Sequence, residues 1–441
     1  MLSAMNIAVR TRKAGAVLNM MSTQEKNAIL ESFADRLNDL ESELLTANAE
    51  DIRDAKATTL RGQLIERLRL NSSKLRQMTD AIRQVITLPD PAGRTLRHTL
   101  LDDGLELRQV TVPFGTVLAI IESRPDAVVQ LISLMVKSGN ALIVKAGHEA
   151  RATVAVIQRA IHESLARHGV PIECMTVIYG REAVAELLTL SNYIDLVVPR
   201  GSKELIQYVQ EHTRIPVIGH ADGICHIYVD AEADCEMATR IILDAKTQAP
   251  SACNAVETVL IHHDAAGVIP PLLAALRERG VAVRGCEQTA ALAGAVQVEA
   301  IGDESEWATE YGDLTVAIRV VENVEAAMAH IAKYGSHHTD AIITKNEAVA
   351  ERFLAGVDSA NVYHNASTRF ADGYRYGLGA EVGISTGKLP PRGPVGLDGL
   401  VTYKWVLRGA GHISATYQGE QAKPFKHTNL SASSGTNCPT P

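Results

Sequence analysis

From Val117 onward the chain alternates short, almost wholly apolar runs with amphipathic stretches of helical length, and this alternation restricts the fold more than any other feature. The runs "VLAII" (117–121), "ALIVK" (141–145), "MTVIY" (175–179) and "IDLVVP" (194–199) lack the polar residue at every second position that a sheet with one wet face requires. Strands apolar on both faces and separated by amphipathic helices define a parallel sheet covered on both sides. Further strands are expected near 216–219 and 224–230. A second series follows Ala231: helix 233–248, strand 255–261, helix 265–278 and strand 281–284, with more alternation to about 360. The expected class is α/β, with two doubly wound parallel-sheet domains. Their boundary is placed near 230, although no Gly/Ser linker marks it.

The first ninety residues read as helical. Ser22-Thr23-Gln24-Glu25 has the capping-box pattern, and Ile29, Phe33, Leu37, Leu40 and Leu44 follow at helical spacing. In "RTLRHTLLDDGLELRQVT" (94–111), two alternating runs flank Asp103-Gly104, which signals a hairpin. A hairpin inserted ahead of an α/β unit commonly projects toward a partner subunit. The stretch "NLSASSGTNCPTP" (429–441) is small and polar, and a disordered tail is expected there.

Charge and composition exclude several functions. A net charge of −8 with interspersed signs argues against a nucleic-acid or polyanion partner. Apolar runs such as "GTVLAII" fall far short of the roughly 20 residues of a membrane span. "MLSAMNIAVRTRK" lacks the apolar core of a signal peptide, so a cytoplasmic protein without a membrane partner is expected. Six cysteines (174, 225, 235, 253, 286 and 438) include no C-x-x-C pair and read as reduced thiols rather than disulfides or a zinc site.

A covered parallel sheet usually binds a nucleotide, yet no G-x-G-x-x-G lies between a strand and a helix. "GLGAEVG" (377–383) has the wrong spacing, and "GISTGKL" (383–389) is one residue short of a phosphate loop. Gly201-Ser202 opens the helix from Lys203, where backbone N–H groups suit a phosphate. Lys145 ends its strand, where ligands of open parallel sheets bind. Each of these also has an ordinary reading, as a turn and as a surface lysine. In "HIAKYGSHHTDAI" (330–342), His330, His337 and His338 lack the i, i+4 pairing of a helical metal site. No metal is expected, and the loop is read as lining a pocket. Cys253, in "DAKTQAPSACNAVETVLIH" (244–262), sits where a helix delivers the chain to a strand amid small residues. On these residues alone it is either a core thiol or a nucleophile.

That segment, together with "VENVEAAMAHIAKYGSHHTDAIIT" (321–344) and "VLAIIESRPDAVVQLISLMVKSGNALIVKAG" (117–147), resembles the gamma-glutamyl phosphate reductases, a branch of the aldehyde dehydrogenase superfamily. The similarity runs from about residue 5 to about 410, with Met328 standing where Leu, Ile or Val is usual. The resemblance implies an aldehyde dehydrogenase-like fold. It would comprise an NADP-binding domain (1–93 and 112–230), a catalytic domain (231–395) and an oligomerisation element (94–111 and 396–425). It implies reduction of L-glutamyl 5-phosphate by NADPH to glutamate 5-semialdehyde, phosphate and NADP+, the second step of proline synthesis from glutamate. Cys253 falls on the nucleophile, which forms a thioester. Gly201 and Ser202 fall beside the cofactor pyrophosphate, and Lys145 falls on the lysine at the adenosine ribose. Glu310 lies one position from the glutamate at the nicotinamide ribose. "NASTRF" (365–370) resembles a loop near the pocket, and the oxyanion asparagine falls on Ser123.

Oxidising relatives carry a water-activating glutamate where this chain reads "IGHADGICHIYVD" (218–230), with His220 in its place. General-base catalysis typically contributes about 10²–10⁴-fold, so the thioester is expected to resist water, the alternative being that His220 itself serves as the base. A homo-oligomer (dimer or tetramer) and glutamate 5-kinase are the partners implied. The alternative is an NAD(P)-dependent aldehyde dehydrogenase that oxidises a small aldehyde.

Overall fold

The computed structural model describes residues 3–57, 62–294 and 296–431. Two compact units divide the chain: Met1–Leu196 with Leu397–Pro441, and Val197–Gly396.

The first unit opens with helices Ala4–Asn19, Thr23–Asp39, Glu41–Ala57, Gly62–Leu68 and Ser72–Thr87. The expected capping box forms: Ser22 Oγ accepts the Glu25 N–H at 3.3 Å, and the Glu25 carboxylate accepts the Ser22 N–H at 2.7 Å. Ile29, Phe33, Leu37 and Leu44 are buried on one face of the helices that follow. Strand Ala141–Lys145 lies between Thr116–Ile121 and Met175–Ile178, parallel to both. Every residue of Thr116–Ile121 is buried, as strands covered on both faces must be. The division between units falls at the start of the edge strand Leu196–Arg200.

The hairpin pairs Thr95–Asp102 with Leu105–Pro113, and Gly104 takes φ +72° at its turn. Strand Val401–Arg408 adds antiparallel to Leu105–Pro113, and Thr428–Asn429 adds to Thr95–Asp102. Asn429, where a disordered tail is expected to start, is instead paired with Thr99 in this sheet. The rest of that expectation, 432–441, lies outside the described residues.

The second unit is built on a seven-stranded sheet, parallel throughout. Its order is Glu299–Ala300, Ala282–Gly285, Thr315–Val321, Val256–His262, Cys225–Val229, Thr339–Ile343 and Asn361–His364. Helices Cys235–Thr247 and Ile269–Glu278 supply Ile242, Leu272 and Leu276 to a core with Val229, Val259 and Ile261. The observed boundary precedes the one expected near 230, because Cys225–Val229 pairs inside this sheet and takes the segment before it along. The strand expected at 216–219 reduces to a single bridge, Val197 with Val217. Among the described residues no helix is long and apolar enough to cross a membrane.

Candidate active site

Cys253 lies in the turn between helix Cys235–Thr247 and strand Val256–His262. Asp234 caps the helix start, accepting the Met237 N–H at 3.0 Å. Pro250 has no N–H to continue the helix, so the chain breaks into the turn that carries the thiol. Cys253 is half-buried, and its backbone is held on three sides. A Cβ at Gly223 would stand 2.2–2.7 Å from the Cys253 backbone, so only glycine permits that approach. The Cys225 thiol donates to the Cys253 carbonyl at 3.3 Å. Burial pushes the Cys225 thiol well above its ordinary value, which keeps that proton in place. On the far side, Thr368 Oγ1 donates to the Asn254 carbonyl at 2.7 Å, and Asn254 Nδ2 donates to the Ala371 carbonyl at 2.9 Å. The loop resembling the pocket loop of the superfamily is thus fastened to the residue after the thiol.

Two imidazoles join Cys253. One ring nitrogen of His220 and one of His338 lie with Cys253 Sγ, all within 4.8 Å of one another. The two rings meet edge to face, with centroids 4.8 Å apart. The three residues precede the amino ends of Cys225–Val229, Thr339–Ile343 and Val256–His262, which are consecutive neighbours in the sheet. His220 Nδ1 donates to the Ile384 carbonyl at 2.8 Å, which leaves the lone pair on Nε2. Burial pushes the His220 imidazole below its ordinary value and favours the neutral ring. His338 is fully buried; its Nδ1 lies 2.8 Å from Thr339 Oγ1, and its Nε2 has no hydrogen-bond partner among the described residues.

The other histidines go elsewhere. His337 is exposed, at φ +59°, with Nδ1 2.7 Å from the Asp358 carbonyl. His330 packs against Trp307 and Tyr334, where burial pushes its pKa down to about 2. Only His338 of that group reaches the thiol.

A buried pair joins the helix and the strand that flank the Cys253 turn. Lys246 Nζ lies 2.7 Å from Glu257 Oε2, both fully buried. Burial raises Glu257 to about 7 against the pull of Lys246. Glu310 is exposed on a loop, near enough that its charge raises the pKa of both His220 and Glu257. Burial lowers the half-buried Arg369 guanidinium, and a charged Cys253 opposes that shift, which puts a cation close to the sulfur.

Among the remaining candidates, Lys145 stands half-buried at the carboxyl end of its strand, and its ammonium makes no hydrogen bond or ion pair with the described residues. Gly201 is exposed, and Ser202 caps helix Lys203–His212, accepting the Leu205 N–H at 3.4 Å. Ser123 takes φ +46° and gives both its N–H and its hydroxyl to Glu149, at 2.8 and 2.5 Å. Its hydroxyl is therefore committed. Sequence reasoning passed over Gly223, Asn254 and Arg369. An isolated glycine just before a strand was the available signal for the first, since it marks a close backbone approach. The other two owe their place to contacts between residues over a hundred positions apart: Asn254 with Thr368 and Ala371, and Arg369 with Gln248.

The aldehyde dehydrogenase family profile matches residues 3–301. A gamma-glutamyl phosphate reductase of Synechocystis sp. is 49% identical over 431 residues, covering 97% of this chain and 99% of its own. That of Synechococcus elongatus is 49% identical over 421 residues, covering 95% and 97%. The crystal structure of the gamma-glutamyl phosphate reductase from Thermotoga maritima matches with a TM-score of 0.91 at 40% identity, over 93% of this chain and all of that one. The chain belongs to the aldehyde dehydrogenase family and, within it, to the gamma-glutamyl phosphate reductases.

Proposed function

We propose that this chain reduces L-glutamyl 5-phosphate to L-glutamate 5-semialdehyde and phosphate in the cytoplasm, with NADPH as reductant and Cys253 as the acyl carrier. This is the second step of proline synthesis from glutamate. The relatives' activity supports the reading, and the observation that carries it is the Cys253 thiol beside two imidazoles on a backbone locked by Gly223, Cys225 and Asn254.

An acyl phosphate is already activated, so a soft nucleophile suffices to displace its phosphate. The free Nε2 of His220 can take the thiol proton, and the Arg369 guanidinium is the nearby cation. Attack on the acyl carbon builds a tetrahedral oxyanion. The Cys253 amide is a candidate donor to it, and such a donor is typically worth about 3–4 kcal/mol. Collapse breaks the bond to phosphate, which leaves with its electron pair, and a thioester remains on Cys253. When bound, a reduced nicotinamide would supply the hydride that this carbon requires. The thiolate then departs and the aldehyde forms. Gly201-Ser202, at a helix start, fit the phosphates of such a cofactor and Glu310 its ribose, while Lys145, at a strand end, has no partner among the described residues. An ammonium at Lys145 favours a 2′-phosphate, hence NADPH over NADH.

The same reading makes the four-stranded sheet an oligomerisation element, supported by exposed Leu96, Tyr403, Trp405 and Leu407 on it. It also makes glutamate 5-kinase the supplier of the labile acyl phosphate. The competing reading, an oxidising aldehyde dehydrogenase, requires water to be activated at the thioester, and His220 replaces the glutamate that does so.

Two assays test the proposal. Cys253→Ala should abolish turnover with folding and NADPH binding retained; activity above about a tenth of the parent, a loss of under ~1.4 kcal/mol in barrier, would reject the nucleophile. NADP+ reduction by glutamate semialdehyde should stop after one acylation unless phosphate or arsenate is present. Sustained phosphate-free turnover would favour the oxidative reading.

A further inference from the structure

The geometry points to a binding site for a borderline-soft divalent cation, for which Zn2+ is the probe, formed by Cys253 Sγ and the Nε2 atoms of His220 and His338. A thiolate with two imidazoles is the donor set that Zn2+ prefers. Bonds of about 2.3 Å to sulfur and 2.0–2.1 Å to nitrogen put tetrahedral donors roughly 3.5 Å apart. Cys253 Sγ and one ring nitrogen of each histidine already lie within 4.8 Å of one another, and Cys253 is half-buried.

The surroundings prepare the rings for this. Ligating histidines characteristically donate their other ring N–H to a fixed acceptor, which sets the tautomer. His220 Nδ1 donates to the Ile384 carbonyl at 2.8 Å, and His338 Nδ1 lies 2.8 Å from Thr339 Oγ1, a hydroxyl able to accept its N–H. Thr339 Oγ1 is itself held by Asn361 Nδ2 at 3.2 Å. Nε2 of His338 is the independent sign: a nitrogen on a fully buried ring, without a hydrogen-bond partner among the described residues. Buried nitrogens left unpaired are costly, and a cation would satisfy this one. Three protein donors leave a fourth position open to water.

When the metal–sulfur bond forms, the thiol proton passes to solvent. The sulfur lone pair then serves the metal and not an acyl carbon. Binding therefore inhibits reversibly, a consequence that rests on Cys253 being the nucleophile of the proposed reaction. The cluster of His262, His263 and Asp264 is a poorer site, since His263 and Asp264 are exposed and His262 Nδ1 already accepts the Asp264 N–H at 3.0 Å.

The test uses the full chain, stripped with chelator. Zn2+ is titrated against a chromophoric chelator, and Co2+ is substituted to look for a thiolate-to-metal charge-transfer band. The parent should bind one Zn2+ per chain and show the band, and Cys253→Ser should lose it. His338→Gln and His220→Gln should each weaken Zn2+ at least about tenfold. If the buried His338 variant fails to fold, the half-buried His220 variant carries the comparison. Cys235→Ser, at an exposed thiol, and His263→Gln should bind as the parent does. Zn2+ affinity unchanged in Cys253→Ser, or a parent Co2+ form without the band, overturns the site. If the band is present and turnover is untouched by Zn2+, the metal site stands and the nucleophile assignment fails.

Discussion

The two parallel sheets hold their candidate residues at opposite ends of their strands. In the first unit Lys145 stands at the carboxyl end of Ala141–Lys145, on a sheet whose strand interiors are almost purely apolar. In the second, Cys253, His220 and His338 stand ahead of the amino ends of three adjacent strands. That sheet also buries ionisable groups: Glu257 with Lys246, and Asp340 with His226 at 3.0 Å, the Asp340 carboxylate accepting from Ser359 as well. Carboxyl-end placement is the general habit of open α/β sheets and needs only one strand with a helix start. An amino-end site depends on several loops converging as they enter the sheet. Here the Cys225 thiol holds the Cys253 carbonyl and Ser336 Oγ accepts the Ile224 N–H, and the buried ionisable groups are tolerated because each has a partner. One sheet is a platform, and the other is part of the site's support.

The sharpest way to break this contrast is to remove one partner of the buried pair. Lys246→Met should cost about 3–5 kcal/mol in urea unfolding at pH 8, because Glu257 loses its partner in the core and must either stay charged alone or take up a proton. Replacing both, Lys246→Met with Glu257→Met, should recover most of that loss. A cost below about 1 kcal/mol for the single change would mean that the pair is not buried as a charged pair.

A smaller effect is expected with pH. The folded pKa of Glu257, about 7, lies above its ordinary value, so the folded state binds the extra proton between the two. Its contribution is fully present below the ordinary value and is lost as pH rises through about 7. The parent should therefore lose stability, on the order of 2–3 kcal/mol, relative to the double variant between pH 5 and 8. Equal slopes for the two proteins would contradict a raised Glu257.

The smallest effect belongs to the apolar sheet. Ile143→Val, at a fully buried position, should cost about 0.5–1.5 kcal/mol with no dependence on pH. A pH-dependent loss there would erase the distinction between the two sheets.

The sequence by itself determined the elements. Periods of hydrophobicity and cap residues are local, so the capping box at Ser22, the strand Ala141–Lys145, the hairpin about Asp103-Gly104 and the turn carrying Cys253 were all legible in order. Motif resemblance singled out Cys253 and His220 one at a time. Only the tertiary structure decided that His338 rather than His330 or His337 meets them, and that Gly223 and Asn254 hold the thiol's backbone. It also decided that Cys225–Val229 joins the second sheet, which moves the boundary to Leu196/Val197. The reason is physical: strands that are neighbours in a parallel sheet are joined by long crossovers, so residues that touch at their ends lie far apart in the chain. Hydrophobic pattern says that a strand is buried, and it carries no record of which strand lies beside it.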